Sequence, residues 1–300
     1  MMEGCLLERY LFCFLCLILP LLLVAQPNND SIAGIGRKQS EWLDLFRPQT
    51  IKSSGKKALE VMDRAPAFAA YKDNFFITGI PLNKKITDSS ADALFQVSIR
   101  QRLSKTALPF KTFAYLTYTQ KSFWNIYSES SPFRDMNYNP GIGLAKIFIS
   151  KGLLFGSGAI QIMHESNGQY GENSRSWNYL SLTAKYYINL NLNISGEFWI
   201  PYVDSDGNKD LLDYRGLGKI NINSIDYTQK WWFELQLNPR KGFGNMNTTA
   251  SISFKVSDSS NQYVFLRFQD GYAESLLDYN KYSANLRIGI CIKPDFYNIY

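Results

Sequence analysis

The sequence predicts an all-β protein, a twelve-stranded antiparallel transmembrane β-barrel, on three observations. Segments of about ten residues with alternating apolar and polar side chains recur from residue 67 onwards. After residue 25, no window approaches the ~20 consecutive apolar residues that a membrane-spanning helix needs. A shorter apolar run near the N-terminus has the length of an export signal. We therefore expect residues 67–300 to cross a membrane as a closed sheet.

The N-terminal region divides into a leader and a polar segment. The run Leu11–Ala25 is apolar and ends in a small residue, which predicts a signal peptide over residues 1–25. An uncleaved membrane anchor is the alternative, because Arg9 is the only basic side chain ahead of the run. Residues 26–66 are polar and mixed, and we expect them to form an N-terminal periplasmic segment. Of the four cysteines, only Cys291 lies beyond the leader, which excludes an intramolecular disulfide in the mature chain.

The charge of the chain does not indicate a nucleic-acid partner. The formal net charge is +6, but lysine and arginine are scattered along the sequence and form no basic cluster. An exported protein also does not meet nucleic acid in its compartment. The charge is therefore interpreted as that of an ordinary solvated surface.

The individual strands are recognised by alternation with a period of two. In Tyr282–Ile292 every even-numbered position is Tyr, Ala, Leu or Ile, whereas the odd-numbered positions include Ser, Asn and Arg. Ala250–Val256 and Phe95–Arg102 alternate in the same way. A soluble β-sandwich would alternate similarly within each strand. The candidate strands lie near residues 67–80, 93–104, 110–126, 139–149, 152–167, 176–189, 192–203, 211–225, 231–240, 247–257, 263–275 and 282–293.

The lengths of the breaks favour a barrel over a sandwich. Very short breaks, Ser150–Lys151 and Leu190–Asn191, follow even-numbered candidate strands. Long breaks, Pro81–Asp92 and Ser128–Tyr138, follow odd-numbered ones. Bacterial outer-membrane barrels have an even number of strands, short periplasmic turns and long outer loops. The pattern therefore predicts a multi-pass protein of the outer membrane.

His164 is the single histidine of the chain and lies on an unexpected face. Continuing the alternation from Ile160 and Ile162, His164 and Ser166 fall on the lipid-facing side of the strand, and Glu165 faces the lumen. Residues two apart on a strand are ~6.8 Å apart at the backbone, so a serine hydroxyl and an imidazole at this spacing can form a hydrogen bond. We therefore place a candidate catalytic site on the outer face of the barrel.

Asn178 completes the candidate site from the next strand. If the hairpin turns about Gly171, an antiparallel register places Asn178 opposite His164 and on the same face. Ser166 would then be a nucleophile, His164 its base and Asn178 the group that orients the imidazole. A neutral amide cannot stabilise an imidazolium as a carboxylate would, so a cation is an expected additional element. The alternative is a cluster that only hydrogen-bonds lipid headgroups.

Five segments of the sequence resemble the outer-membrane phospholipase A family. The resemblance covers about Tyr71 to the C-terminus and is most specific in the HESNG and SRSWN segments. The segments are Tyr118–Trp124 (YTQKSFW), Ser130–Asp135 (SSPFRD), His164–Gly168 (HESNG), Ser174–Asn178 (SRSWN) and Tyr272–Asn280 (YAESLLDYN).

The resemblance implies a function and a catalytic triad. It implies hydrolysis of the acyl esters of phospholipids, with A1, A2 and lysophospholipase-type activity, by an enzyme that depends on Ca²⁺ and is activated by homodimerisation. In this sequence the catalytic residues of the family match His164, Ser166 and Asn178, and the amide of Gly168 matches its oxyanion hole.

The resemblance also implies a calcium site and a dimer interface. The implied calcium ligands are the Ser174 hydroxyl, the backbone carbonyl of Gln169 and a carbonyl of Ser130 from the partner subunit. Gln169 stands where arginine is familiar in the family, a change that a backbone ligand survives. Gln120 matches the polar residue at the dimer interface, and its parity places it on the outer face with Leu116.

Two functions from other classes are alternatives to this interpretation. A non-catalytic channel or structural barrel would carry polar side chains in its lumen, and a barrel of this size more often has a crosslinked polar interior than a pore. A soluble lipase would need a Gly-x-Ser-x-Gly turn, which the surroundings of Ser166 lack. The luminal cations that a channel would use are Arg100, Lys185, Arg215, Lys219 and Arg267.

Overall fold

The computed structural model describes residues 66–104, 107–150, 153–189, 191–203, 206–296 and 298. The predicted signal peptide and all but the last residue of the predicted periplasmic segment lie outside these ranges. Within them, no helix is long and apolar enough to cross a membrane. The described residues are organised almost entirely as β-strands.

The described residues contain thirteen strand segments, one short helix and three short 3₁₀ turns. The strands are β1 Phe68–Ala70, β2 Asn74–Pro81, β3 Asp92–Arg102, β4 Thr112–Trp124, β5 Phe133–Ser150, β6 Leu153–Ser166, β7 Ser176–Asn189, β8 Leu192–Tyr202, β9 Gly218–Ile225, β10 Trp231–Pro239, β11 Met246–Lys255, β12 Gln262–Gly271 and β13 Ser283–Ile292. The helix is α1 Leu211–Arg215, and the 3₁₀ turns are Pro109–Lys111, Gly171–Asn173 and Asp206–Asn208.

Strands β2 to β13 close into the predicted twelve-stranded antiparallel barrel. Each pairs with its neighbours in the sequence, and β13 pairs with β2 to close the ring. Strand β1 is not an additional strand of the barrel. It pairs only with β3, along the same edge of β3 that pairs with β2 at its other end. The first predicted strand, 67–80, is therefore one barrel strand that is interrupted at Tyr71–Asp73. The prediction of the fold class is confirmed.

One predicted strand was wrong in its first half. Residues near 211–225 were expected to be a strand, but Leu211–Arg215 form α1 and β9 begins only at Gly218. The helix forms because Leu211 packs, fully buried, in a cluster at the outer mouth of the barrel. Gly216 ends it with a φ of 78°, a conformation that favours glycine. An added Cβ at Gly216 would lie 1.9 Å from the carbonyl oxygen of Pro239.

The two faces of the barrel wall differ as the alternation predicted. Side chains such as Ile162 and Ile290 are 67% and 66% exposed on the outer face, where lipid would cover them. The lumen is polar and largely filled, with a cavity of about 330 Å³ remaining. Two of the cations considered for a pore are ion-paired there, Arg215 with Glu165 at 2.7 Å and Lys219 with Glu197 at 3.2 Å.

Segments of the chain pack into both mouths of the lumen. At the mouth predicted to face the periplasm, the Phe296 ring packs edge-on against Trp232 with ring centroids 5.2 Å apart. The carbonyl of Asn298 accepts a hydrogen bond of 2.7 Å from Lys185. At the outer mouth, the loop after β12 buries Leu276 and Tyr279 in the cluster that contains α1. Burial and the hydrogen bond to the Asp210 carboxylate raise the pKa of Tyr279 to about 12.

Candidate active site

His164 and Asn178 face each other across β6 and β7. The two residues are paired in the register expected from the sequence, and the Nδ1 atom of His164 lies 2.8 Å from the Oδ1 atom of Asn178. Both side chains are half-buried. The amide oxygen can only accept, so this contact requires a proton on Nδ1 and leaves Nε2 free to act as a base.

Ser166 lies at the end of β6, two residues beyond His164. The strand alternation gives the two side chains the same outer face, and Ser166 pairs with Ser176 on β7 and Tyr138 on β5. Its side chain is half-buried. The last three residues of β6 therefore place both an imidazole and a hydroxyl near the outer rim of the barrel.

The loop that follows Ser166, residues 167–175, is here called the active-site loop. Gly168 has a φ of 65°, and an added Cβ there would lie 3.0 Å from the Tyr138 ring, so both backbone conformation and space favour glycine. Gly168 is exposed, whereas Gln169 and Ser174 are half-buried. The three residues implied for the oxyanion hole and for calcium within one subunit thus lie in one short loop.

Asn167 holds the active-site loop closed, a role that the sequence reasoning missed. Its side chain is 3% exposed. The amide nitrogen donates to the carbonyl of Asn173 at 2.8 Å, and the amide oxygen accepts from the backbone N–H of Arg175 at 3.0 Å and of Gln169 at 3.3 Å. Asparagine directly after a strand is a signal for such side-chain to backbone bonding in loops.

Asn208 supports the start of β7 from the loop after β8, and was also missed. It is fully buried, and its amide mimics a paired strand by accepting from the N–H of Ser176 at 3.2 Å and donating to the carbonyl of Ser176 at 3.0 Å. No sequence pattern links Asn208 to Ser176, the first residue of β7, which lies 32 residues earlier. The contact depends on the tertiary fold alone.

Glu165 supports the site from the luminal side of the wall. As the alternation predicted, it points away from His164, and its carboxylate accepts from Trp177 Nε1 at 2.8 Å and from Arg215 at 2.7 Å. The Arg215 guanidinium also lies over the Trp177 ring, 5.3 Å from its centroid. These contacts tie β6 to β7 directly behind the His164–Asn178 pair.

Ser130 and Gln120 lie away from the active-site loop of their own chain. Ser130 is exposed in the turn between β4 and β5, which opens on the same side of the barrel as the active-site loop. Among the described residues, no hydrogen bond joins Ser130 to Gln169 or Ser174. Gln120 is half-buried on β4, where its amide accepts from the Tyr118 hydroxyl at 3.0 Å and donates to Ser122 at 3.2 Å.

The donor set implied for calcium consists of neutral oxygen atoms. The described residues contain no cluster of three or more His, Cys, Asp or Glu side chains that could hold a metal ion. Hydroxyl and backbone carbonyl oxygens are nevertheless ligands that Ca²⁺ accepts. The active-site loop offers both kinds within six residues, Gln169 to Ser174, and Asn167 fixes its two ends. The residues present therefore fit a calcium ion whose coordination is completed from elsewhere.

An apolar groove of about 610 Å³ begins at the His164–Asn178 pair on the outer face. The groove runs along the outer surface from β6 toward β1. The strand registers place one residue from each of five strands in a single row along one of its edges. Adjacent strands are ~4.8 Å apart, so four steps span about 19 Å. The row consists of Phe68, Gln101, Leu116, Ile142 and Ile162.

Comparison with known proteins gives concordant results. Residues 69–292 match the model of a family described as phospholipase A1. A Neisseria meningitidis serogroup B protein described as a phospholipase A1 is 30% identical over 213 residues, 67% of this chain and 54% of that protein, so the chain spans about half of that relative. Phospholipase A1 of Escherichia coli K12 is 28% identical over 208 residues, which are 67% of this chain and 70% of that protein.

Two solved structures share the fold. Outer membrane phospholipase A from Escherichia coli superposes with a TM-score of 0.68 at 23% identity, over 77% of this chain and all of that one. The Salmonella typhi outer membrane phospholipase dimer with bound calcium gives a TM-score of 0.68 at 21% identity, over 86% of this chain and 99% of that one. At these sequence identities, the superpositions show that the barrel fold is shared.

Proposed function

Because the chain belongs to the phospholipase A1 family and is a β-barrel of the outer membrane, we propose that it is a calcium-dependent phospholipase A that hydrolyses acyl esters of phospholipids on its outer face. The observation that carries the proposal is the 2.8 Å contact between the polar side chains of His164 and Asn178, which lie on adjacent strands of a wall whose outer face is mainly apolar. A catalytic pair that faces lipid suits a substrate that arrives from the bilayer.

In the proposed reaction, Ser166 is the nucleophile and His164 its base. Nε2 of His164 takes the hydroxyl proton as the Ser166 oxygen attacks the acyl carbonyl carbon, and then returns the proton to the leaving lysophospholipid oxygen. The same nitrogen next activates water, which hydrolyses the acyl-serine and releases the fatty acid. Asn178 holds the Nδ1–H tautomer throughout, a role supported by the register that pairs it with His164.

The developing oxyanion would be stabilised by two elements of the active-site loop. The N–H of Gly168 donates to it, for which an exposed glycine at positive φ leaves the approach open. The Ser174 hydroxyl, the Gln169 carbonyl and the carbonyl of Ser130 of the partner subunit would hold calcium. A calcium ion held by these ligands would supply the positive charge that the neutral triad lacks.

We further propose that the active form is a homodimer with Gln120 at its interface. This is supported by the position of Ser130 in the turn between β4 and β5, which is a different loop from the one that carries the other two implied ligands. The calcium-bound dimer of the Salmonella typhi protein gives a precedent with the same fold. The apolar groove beside His164 would receive the acyl chains of the substrate.

A non-catalytic channel or structural barrel remains the rival function, and the lumen argues against a channel. Segments of the chain pack into both mouths, and Lys185, Arg215 and Lys219 are engaged by other groups of the protein. Conductance of the purified protein in planar bilayers would support a channel. Calcium-dependent release of fatty acid would support the enzyme.

The deciding experiment measures fatty-acid release from mixed phospholipid micelles, with calcium and with excess EDTA, by wild type and Ser166→Ala. We expect Ser166→Ala to lose at least about 10³-fold in kcat while its barrel still resists heat and detergent. Ser157→Ala, in the luminal and buried side of the same strand, is the matched control and should retain activity. Turnover by Ser166→Ala would reject the nucleophile, and activity unchanged in EDTA would remove calcium from the mechanism.

A further inference from the structure

The turn that carries Ser130 is unusual in its backbone. It joins β4 to β5 and is closed by a hydrogen bond of 3.0 Å from the N–H of Asn125 to the carbonyl of Pro132. Ser130 and Ser131 have φ angles of 59° and 41°, in the left-handed region that non-glycine residues rarely adopt. Two such residues in succession persist only where surrounding contacts hold them, and such strain concentrates at functional positions.

The contacts that hold this turn converge on Ser131. Its backbone N–H donates to the carbonyl of Ser128 at 2.9 Å, and its hydroxyl donates to the carbonyl of Ile126 at 2.9 Å. Its carbonyl accepts from the indole N–H of Trp124 at 2.7 Å. Hydrogen bonds of its backbone N–H, its hydroxyl and its backbone carbonyl therefore all hold Ser131 in place.

Fixing Ser131 also fixes the direction of the Ser130 carbonyl. The carbonyl of Ser130 and the N–H of Ser131 belong to one planar trans peptide, in which the two groups point in opposite directions. Because this N–H points into the turn toward Ser128, the Ser130 carbonyl points out of the turn. Ser130 is exposed, so the oxygen is presented to the surroundings of the barrel.

Trp124 is itself held in place on the outer wall. Its ring stacks on Phe133 with centroids 5.1 Å apart and meets Phe76 edge-on at 6.4 Å. Phe133 also packs edge-on against Phe95 at 6.0 Å. The indole donor therefore comes from a rigid aromatic cluster of β2 to β5 rather than from the mobile part of a loop.

We propose that Trp124 and Ser131 are positioning residues that aim the Ser130 carbonyl away from its own barrel, preset as a calcium ligand for the active-site loop of a second subunit. The inference rests on the proposed function and assigns a purpose to the strain of the turn. A preorganised ligand does not have to be ordered when the ion and the partner bind, which favours the complex.

The test follows dimer formation against calcium concentration by sedimentation in detergent micelles, which does not depend on turnover. Trp124→Phe keeps the ring on Phe133 and removes only the indole donor. We expect it to need about tenfold more calcium for half-maximal dimer, the range that loss of a buried hydrogen bond allows, with kcat at saturating calcium nearly unchanged. Trp232→Phe removes an indole donor to Asn223 in the lumen and should leave the calcium midpoint at the wild-type value.

A second variant protects the test against a failure of Trp124→Phe to fold. Ser131→Gly tolerates the positive φ and keeps both backbone groups but loses the hydroxyl bond to Ile126, and it should also raise the calcium midpoint. Folded Trp124→Phe or Ser131→Gly with a wild-type calcium midpoint would overturn the proposal. Wild type that forms no additional dimer with calcium would overturn the proposed calcium-linked homodimer, and this inference with it.

Discussion

Polar side chains lie on both sides of the barrel wall, but they differ in charge and in partners. In the lumen they include charged groups that are buried and paired, as for Arg287, which is 2% exposed and bonds to Asp92 at 2.7 Å and Glu274 at 2.7 Å. On the outer face near the rim, His164 and Asn178 are half-buried, and among the described residues their side chains hydrogen-bond only to each other. The luminal groups fill and crosslink the interior, whereas the outer pair adds nothing that a lipid-facing wall requires.

The difference follows from the solvent on each side. Inside, burying a charge is costly unless an opposite charge and further hydrogen bonds accompany it, so the luminal charges form networks such as Lys293 with Asp73 at 2.6 Å. On the outer face, a polar group that faces hydrocarbon lowers the stability of the protein, because the lipid offers no hydrogen bond or opposite charge in compensation. Outer polar groups that persist are therefore candidates for function.

The comparison predicts its largest effect for the loss of a luminal cation. Arg287→Met leaves the carboxylates of Asp92 and Glu274 without their principal partner, and we expect the free energy of unfolding to fall by about 3–5 kcal/mol. Urea titration of the protein refolded into phospholipid vesicles measures this. The kcat per folded molecule should stay near that of wild type.

The matched control is an exposed ion pair. Lys241→Met breaks the contact of Lys241 with Asp213, whose side chains are 72% and 46% exposed, and should leave the urea midpoint unchanged. If both variants unfold alike, the luminal pairs do not crosslink the barrel, and the contrast between the two faces fails.

The second prediction concerns the outer face and is smaller. Asn178→Ala removes the acceptor that fixes the His164 tautomer, and we expect kcat to fall about 100-fold with little change in the urea midpoint. The same substitution in the lumen, Asn238→Ala, deletes an acceptor of Gln236 and should leave kcat unchanged. A large loss of stability with wild-type kcat would make Asn178 a structural residue.

The sequence predicted the barrel well because alternation is a local property. Each strand shows its own period of two, and an even count with short and long breaks then fixes closure and direction. The helix Leu211–Arg215 was missed because its stability comes from burial of Leu211 against residues of other strands. The interruption of the first barrel strand at Tyr71–Asp73 was likewise not predicted by the local alternation of apolar and polar residues.

The candidate triad was found because alternation along β6 and the register with β7 are both simple to project. The shared face of His164 and Ser166 and the opposition of His164 and Asn178 follow from the residues, whereas the roles of Gly168, Gln169 and Ser130 came from the family resemblance. The supports of the site were not predictable, because Asn208 and Arg215 reach it from a loop more than thirty residues later. Contacts of that kind exist only once the barrel has closed.

The smallest predicted effect tests whether the active-site loop must be preset in shape. Asn167→Ala removes three hydrogen bonds that join Gln169, Asn173 and Arg175, while leaving His164, Ser166 and Asn178 untouched. The loop would then be ordered only when calcium binds, so half-maximal activity should need about tenfold more calcium, with kcat at saturation close to wild type. Asn245→Ala, which deletes a 2.8 Å bond to Lys241 within another outer loop, is the control and should not change the calcium requirement. A lower kcat at saturating calcium, with an unchanged calcium midpoint, would instead mean that Asn167 acts on the triad and not on the loop.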